Sequence, residues 1–552
     1  MIAFASSALL LTVIQPPISF WPLAWAAYVP FILACSPDVK IARLAIAGYA
    51  VSVCYWLGNI YWMGYVTVSG WITFCLYTAL LWPLLAVSLR FCRVKKIPLF
   101  IAAAVLVVGA ERLQGLFLGG FYWRYLAHSQ YRNIPLIQIA DIFGAAGVSF
   151  LVAMVNGLLA ELLIEAAGGN LFRARNFFKT AVTAVLLLGS FAYGDWRLKQ
   201  TPQFTEDGPL AGCVQSSVPQ VVKESVEAAD ETLRGLLSGS KACAAAGAEL
   251  MVWPETMVHA RLDKRLLKIL DESDPDRIFD RAVCEHSKDT GYVLVGAYGG
   301  KPKVFEDLSI RLSAKYNSAF LYLPAGRQAD CQYNKIHLVP FGEVVPFKNS
   351  NPAIYRLLMK FTPYDYDYSL DAGTEFTVFP MTGKVRDYRF AVMICYEDAV
   401  PSIARGFVKG RTGRKDVDWL VNISNDGWFV RFSDGQIRPS TELIQHLSCS
   451  VFRAVEQRVA VLRSVNTGIS CLIEPVGRIR DGFSAAGERF PHEAVKRQGV
   501  AGWFVDKVPI DKRITFFSRY GQWLDTFCAA SILLSASAEC IRLKKKNIGS
   551  NK

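Results

Sequence analysis

Val392-Met393-Ile394-Cys395-Tyr396-Glu397-Asp398 is an apolar, strand-like run that ends on a single cysteine and passes directly into acidic residues. Pro401 follows shortly, so Cys395 falls at a strand-to-helix elbow, where a helix N-terminus can stabilise a thiolate. Upstream, Glu255 stands in Val252-Trp253-Pro254-Glu255-Thr256, and Lys335 in Tyr333-Asn334-Lys335-Ile336-His337-Leu338-Val339-Pro340-Phe341-Gly342-Glu343. A carboxylate, an amine and a thiol at strand ends are the components of acyl transfer through a thioester.

The surroundings of these three residues alternate short β-rich runs with helical stretches. Strand-like runs are Leu250–Trp253, Tyr292–Ala297, Ser318–Leu323, Phe390–Cys395, Trp419–Ser424, Val459–Val465 and Ile469–Ile473; Glu224–Ala246, Asp276–Ser287 and Thr441–Gln457 read as helices. That alternation predicts an α/β domain with helix-covered sheets over about 205–510. In open α/β sheets functional groups gather at the carboxyl ends of strands, which is where Glu255, Cys395 and Asn425-Asp426 fall. Each of the three reactive residues has a plainer reading: a packed thiol, a helix N-terminal charge, a solvated amine. Their joint occurrence at strand ends argues against all three plainer readings holding at once.

The first two hundred residues differ in kind. The 552-residue chain is 52% hydrophobic and only 19% charged, with a mean hydropathy of +0.26, and most of the apolar excess lies before residue 200. A span needs about 20 apolar residues. Runs at 2–14, 18–36, 43–65, 71–91, 98–118, 135–165, 180–196 and 522–541 give eight expected spans, hence a membrane domain at 1–200 and a last span with a basic tail at 514–552. With the N-terminus inside, the inner loops carry Lys40 and Arg43; Arg90, Arg93, Lys95 and Lys96; Arg173, Arg175 and Lys179; and Arg542, Lys544, Lys545 and Lys546. The outer loop at 66–70 has no charge, and 119–134 has only Arg124 and Arg132. This follows the positive-inside rule, with Arg197 and Lys199 as exceptions, and puts the α/β domain on the outer side. Seven spans would break the pattern. Glu111, Arg112, Asp141 and Asn156 lie within the expected spans, where polar residues are either functional or paired.

The net charge of +13 does not indicate nucleic-acid binding, because much of it sits in short loops between apolar runs. The thirteen cysteines form no C-x-x-C pair and no zinc spacing, so neither a disulfide framework nor a metal centre is expected. Seven lie between 205 and 510, so at least one there is free or paired outside the chain.

Val252-Trp253-Pro254-Glu255, Asn334–Glu343 and Ile394-Cys395-Tyr396-Glu397 resemble the three catalytic motifs of the nitrilase superfamily. Joined to eight spans in this order, they resemble the apolipoprotein N-acyltransferase family, a likeness that extends to Gly120-Phe121-Tyr122-Trp123, Ser129-Gln130, Asn422–Phe429, Gln445-His446-Leu447, Arg453-Ala454 and Arg463–Gly468. The resemblance implies an αββα sandwich for the soluble domain on a multi-pass helical membrane domain. It implies a Glu255-Lys335-Cys395 triad, Glu343 as supporting carboxylate, and Tyr396 and Glu397 shaping the pocket, without cofactor or metal. It also implies a monomer in the bacterial inner membrane with its catalytic domain in the periplasm. The last step of lipoprotein maturation would follow: an acyl group passes from a phospholipid to Cys395, then to the α-amine of a diacylglyceryl cysteine on an apolipoprotein. Several positions depart from the family pattern: Ser216-Ser217 in Val214–Gln220, Glu224 where a Trp is usual, Asn334 where His is common, Val430 for Gly, and a lengthened segment at 409–415. They bear on substrate contacts more than on chemistry.

A membrane-anchored amidase or nitrile hydrolase would use the same triad with water as acceptor, but a soluble amide needs no eight-helix base. A transporter or receptor with a dead ectodomain would make the triad a coincidence. The segment 344–379 is rich in aromatic and aliphatic residues (Phe347, Ile354, Tyr355, Leu357, Leu358, Met359, Phe361, Tyr364, Tyr366, Tyr368) and broken by Pro346, Pro352 and Pro363. A loop this long is commonly functional, and it reads as a lipid-facing lid; packing on the domain's own core is the other reading.

Overall fold

The computed structural model describes the chain except residues 224–225, 258–259, 305–309, 346, 349, 361, 363–365, 410–413 and 551–552. Glu224, Pro346, Phe361, Pro363, Tyr364 and most of the lengthened segment at 409–415 therefore lie outside the described residues. The chain divides into two compact units. One comprises Met1–Gly64, Val68–Gln200 and Tyr520–Lys552; the other comprises Tyr65–Thr67 and Thr201–Arg519.

The first unit is helical. Five helices, Ile41–Asn59, Val68–Val94, Ala145–Ala167, Ala174–Phe204 and Trp523–Leu543, are long and apolar enough to cross a membrane. The other three expected spans fall on shorter elements: Ile2–Val13, Trp21–Ala34 and Leu99–Gln114. Pro16-Pro17 separates the first two, and Pro22 and Pro30 interrupt the second, because proline lacks the N–H a continuing helix needs. Asp141, Asn156, Glu111 and Arg112 each have a polar partner. Arg197 binds Asp141 at 2.7 Å, and the Tyr193 hydroxyl donates to the same carboxylate at 2.8 Å. This ion pair gives Arg197, an exception to the expected charge pattern, a buried partner. Asn156 donates to Ala24 O at 2.9 Å and accepts from Tyr28 N at 2.7 Å, Glu111 accepts from Leu126 N at 2.5 Å, and Arg112 lies 3.8 Å from Asp525.

The second unit is an αββα sandwich. Its strands are β1 (Thr205–Gln215), β2 (Leu250–Val252), β3 (Tyr292–Val304), β4 (Ile310–Leu323), β5 (Arg327–Asn334), β6 (Val378–Thr382), β7 (Asp387–Ile394), β8 (Trp419–Ser424), β9 (Arg431–Ser433), β10 (Gln436–Arg438), β11 (Ala460–Val465), β12 (Cys471–Ile473), β13 (Ile479–Arg480), β14 (Ser484–Ala486) and β15 (Gly502–Asp511). One sheet runs β14-β15-β1-β2-β3-β4-β5 and the other β13-β12-β11-β8-β7-β6, with β9 and β10 as a separate hairpin. β1 and β15 lie against β11, and β4 against β7. The Ser464 hydroxyl of β11 joins the sheets by donating to Val214 O and Val252 O at 3.2 and 3.0 Å. Helices Val226–Ala245 and Pro275–Thr290 cover the first sheet, and Pro401–Val408 and Glu442–Gln457 the second.

The centre of each sheet is parallel: β1 with β2, β2 with β3, β7 with β8, and β8 with β11. All six residues of β8 and all six of β11 are buried, as expected of strands covered on both faces. Their sequences therefore lack the alternation of a half-exposed strand, and the polar residues they contain, Asn422, Ser424, Arg463 and Ser464, are buried as well. The strand ends at 252, 334 and 394 are where the chain turns into Glu255, Lys335 and Cys395.

Candidate active site

β7 ends at Ile394, and Cys395 opens a short 3₁₀ turn, Cys395–Ala399. Its φ is +53°, a left-handed conformation that side-chain-bearing residues adopt rarely and that persists only where neighbours hold it. Two neighbours do so. Asn422, paired with Met393 across the parallel β7–β8 ladder, donates from Nδ2 to Cys395 O at 3.1 Å. Glu397 reaches back to accept from Ile394 N at 2.8 Å. Burial and the Glu255 carboxylate push the Cys395 thiol well above its ordinary range, against the opposing pull of Lys335. The resting sulfur is thus a thiol and needs a base.

Glu255 is 6% exposed and follows β2 through Trp253-Pro254. Gly296 of β3 makes room for it: a Cβ there would stand 2.8 Å from Glu255 Cα. One carboxylate oxygen accepts from Asn317 Nδ2 at 2.6 Å and the other from Asn425 N at 2.9 Å. Lys335 is 1% exposed, and its Nζ lies 2.8 Å from Glu343 Oε2 and 3.6 Å from Glu255 Oε1. Burial disfavours the ammonium, but Glu343 and then Glu255 outweigh it and hold Lys335 protonated far above its usual range. Glu343 accepts in addition from Val339 N and from Asn317 Nδ2, both at 2.9 Å. The amide nitrogen of Asn317 thus bridges the two carboxylates that flank Lys335.

Glu397 is fully buried and does not line open space. Its carboxylate accepts from the Tyr333 hydroxyl at 2.7 Å, Ile336 N at 2.8 Å and His337 N at 2.9 Å, besides Ile394 N. It clamps the Cys395 turn to the backbone just after Lys335 and to the Tyr333 side chain before it. Burial pushes its pKa up to about 7, while Lys335 and these donors pull the other way. Tyr396 is half-buried, with its ring 5.9 Å from that of His337.

Behind the turn lies a buried polar cluster. Asp398 accepts from Ser450 and pairs with Arg463. His446 Nε2 lies 2.8 Å from Asp398 Oδ1; its Nδ1 lies 3.3 Å from Asp426 and 3.4 Å from Glu442. Burial works against the imidazolium, but Asp398 and Asp426 push His446 up to about 10, while burial and then Asp426 raise Glu442 well above the carboxylate range.

The chain after Lys335 returns to the site at residues 368–373. Leu370 N donates to Glu343 O at 2.8 Å, the Tyr368 hydroxyl to Phe341 O at 2.6 Å, and Gly373 N to Lys335 O at 2.8 Å. Between, helix Pro352–Met359 is capped by Asn351 and has no buried residue; Leu357 is 54% exposed. This helix is not part of the core. At the departures from the family pattern, Asn334 Oδ1 accepts from Ser318 Oγ at 2.7 Å and Ser217 N donates to Asn466 O at 2.9 Å; nearby, Gln220 accepts from Asn425 Nδ2 at 3.0 Å. Among the described residues all thirteen cysteines are free thiols.

Two sheets with strand-end Glu, Lys and Cys define a carbon–nitrogen hydrolase domain, here in one chain with a helical unit that carries membrane-length apolar helices. The profile of that domain class, Carbon-nitrogen hydrolase, matches residues 210–490, and that of the Apolipoprotein N-acyltransferase N-terminal domain matches residues 7–158. The apolipoprotein N-acyltransferase of Geobacter metallireducens is 32% identical over 98% of this chain and 95% of its own. That of Bdellovibrio bacteriovorus is 28% identical over 73% and 66%. Among solved structures, an amidase from Nesterenkonia is 13% identical, covers 55% of this chain and 92% of its own, and has a TM-score of 0.33. The chain belongs to the apolipoprotein N-acyltransferase family.

Proposed function

We propose that this enzyme acylates the α-amine of the S-diacylglyceryl cysteine of apolipoproteins, with a phospholipid as acyl donor and Cys395 as the covalent carrier. The observation that carries the reading is the arrangement around Lys335: an ammonium held between Glu343 at 2.8 Å and Glu255 at 3.6 Å, in electrostatic contact with the Cys395 thiol. Glu255 takes the thiol proton as the sulfur attacks the acyl ester carbon. The S–C bond forms, the ester C–O bond breaks, and Glu255 passes the proton to the departing lysophospholipid oxygen. Lys335 faces the negative charge that builds on the carbonyl oxygen; losing one such donor costs about 10²–10³ in rate. In the second half the amine attacks the thioester, an amide forms, and Glu255 carries the amine proton back to the sulfur. Glu343 and Asn317 keep Lys335 and Glu255 in register. The exposed, apolar helix Pro352–Met359 supports a lid that shields the acyl chain from water.

The charge distribution of the loops supports a multi-pass protein of the bacterial inner membrane with the catalytic domain in the periplasm, and the family likeness supports a monomer. The test is the acyl-enzyme. After incubation with phospholipid, intact-mass spectrometry should find one acyl adduct on the wild type, discharged by a diacylglyceryl peptide, and none on Cys395→Ala. An adduct that survives that substitution refutes the assignment.

A further inference from the structure

The cluster behind the nucleophile turn holds three carboxylates (Asp398, Asp426, Glu442), one imidazole and one guanidinium, each at most 2% exposed. Arg463 is matched by Asp398. If His446 is an imidazolium, the remaining pair of carboxylates still exceeds it by one charge. Burying an unmatched charge is costly, so something further must neutralise it.

The spacing narrows what that is. His446 Nδ1 stands 3.3 Å from Asp426 Oδ1 and 3.4 Å from Glu442 Oε1, both beyond the usual N–H···O range of about 2.7–3.2 Å. Four ligands held tetrahedrally at about 2.0–2.1 Å from a metal stand about 3.3–3.4 Å apart, and these are zinc's distances to imidazole and carboxylate. The three donor atoms all lie within 4.8 Å of one another. On its other side His446 Nε2 meets Asp398 at 2.8 Å, the carboxylate–histidine arrangement that fixes the tautomer of a metal-bound ring. Asp426 Oδ2 and Glu442 Oε2 are buried without a hydrogen-bond partner among the described residues. Residue 468 is a glycine, and a Cβ there would come within 2.3 Å of that Asp426 oxygen.

We propose that Asp426, Glu442 and His446 bind one divalent cation of zinc's size and ligand preference, with Asp398 orienting the histidine. A neutral imidazole, three carboxylates, Arg463 and a divalent cation sum to zero charge. The ligands come from the turn after β8, whose Asn425 N–H holds Glu255, and from helix Glu442–Gln457. Asp398 belongs to the Cys395 turn. Such a cation would be structural and would tie together the segments that carry the base and the nucleophile. No spacing in the sequence announces it: Glu442 and His446 are four apart on a helix, but Asp426 and Asp398 are distant.

The test uses the full-length protein in detergent and does not depend on its activity. Elemental mass spectrometry after zinc dialysis and removal of free metal should find one zinc per wild-type chain, and about a tenth of that or less in Glu442→Gln. Asp398→Asn should weaken zinc binding about 10–100-fold. Cobalt loading of the wild type should give the intense visible bands of a tetrahedral site. A proton on Glu442 is the competing means of neutralisation, and the glutamine amide mimics it. Absence of zinc and of cobalt bands in the wild type, with an unchanged thermal midpoint in Glu442→Gln, would overturn the proposal. So would zinc retained at full stoichiometry in Glu442→Gln.

Discussion

Replacing Glu255 with glutamine should move two measurements in opposite directions. Glutamine keeps the volume and one acceptor oxygen, but its NH₂ must face either Asn317 Nδ2 or Asn425 N, which now stand 2.6 and 2.9 Å from the carboxylate. One hydrogen bond is lost and one buried donor unsatisfied, a stability cost of about 1–3 kcal/mol. Loss of a general base costs about 10²–10⁴ in turnover, or roughly 2.7–5.5 kcal/mol in the barrier. Acyl transfer from phospholipid to a diacylglyceryl peptide should fall by that factor in protein that remains folded. The resting thiol should respond the other way. Next to burial, the Glu255 carboxylate is the largest influence raising it, so removing that charge lowers the Cys395 pKa and increases the thiolate at a given pH. Alkylation by iodoacetamide, followed at Cys395 by peptide mapping across pH 6–10, should therefore be faster in Glu255→Gln than in wild type at every pH below the wild-type midpoint. If turnover falls while alkylation slows or stays the same, Glu255 does not act on the thiol through its charge. If turnover stays within about threefold, it is not the base.

Glu397→Gln should lower turnover by about 10²-fold, the scale of a 1 Å displacement of reacting groups, because one amide oxygen cannot accept from Tyr333, Ile336, His337 and Ile394 together. Glu397 has a folded pKa of about 7, above its unfolded value, so the folded state holds the extra proton between these values and wild-type stability falls as pH rises through that window. The thermal advantage of wild type over Glu397→Gln should consequently be larger at pH 5 than at pH 8; the reverse order would exclude a raised pKa. Changing Leu357, Leu358 and Met359 to Glu should depress turnover of phospholipid and lipopeptide while a small water-soluble thiol reagent still modifies Cys395; loss of both places the helix in a structural role. A reporter fused after Lys546 should read cytoplasmic and one inserted near Gly410 periplasmic, and agreement between the two would refute the eight-span topology.

Glu255 and Cys395 could be picked out because each follows an apolar strand within a few positions, a local pattern that survives without knowledge of the fold, whereas Lys335 follows the polar strand β5 and is marked by the mostly apolar stretch Ile336–Phe341 after it. Strands such as Trp419–Ser424 were legible as mostly apolar runs without alternation, since parallel strands covered on both sides need not alternate. β1, β5 and β15 gave weaker signals. Lys507 and the charged start of β1 interrupt the apolar content of β15 and β1, which pair with each other from opposite ends of the domain, and Arg327 and Asp330 interrupt that of β5, an edge strand beside β4. Asn317 was invisible for a related reason. It sits mid-strand in Tyr316-Asn317-Ser318 with nothing beside it in sequence to mark a bridge between Glu255 and Glu343. Glu397 stands out in the sequence only as a neighbour of the cysteine, which suggests a place in the pocket wall. Only the fold shows that Tyr333, Ile336 and His337 converge on it. The short first, second and fifth expected spans show that an apolar run reports composition better than helix length, because proline and the turn at Gly115 end helices that hydropathy alone would continue.

The left-handed backbone at Cys395 gives substitutions there unequal value as tools for testing the proposed acyl-enzyme. At φ +53° any side chain carries a penalty on the order of 1–2 kcal/mol that glycine avoids. An alanine there leaves the elbow under the same tension as the native residue, so the turn still leans on Asn422 and Glu397 for its shape. A glycine lets it settle without them. The alanine form is therefore the faithful trap for catching a lipid donor in its native pose, whereas the glycine form would be sturdier to purify and less informative to look at.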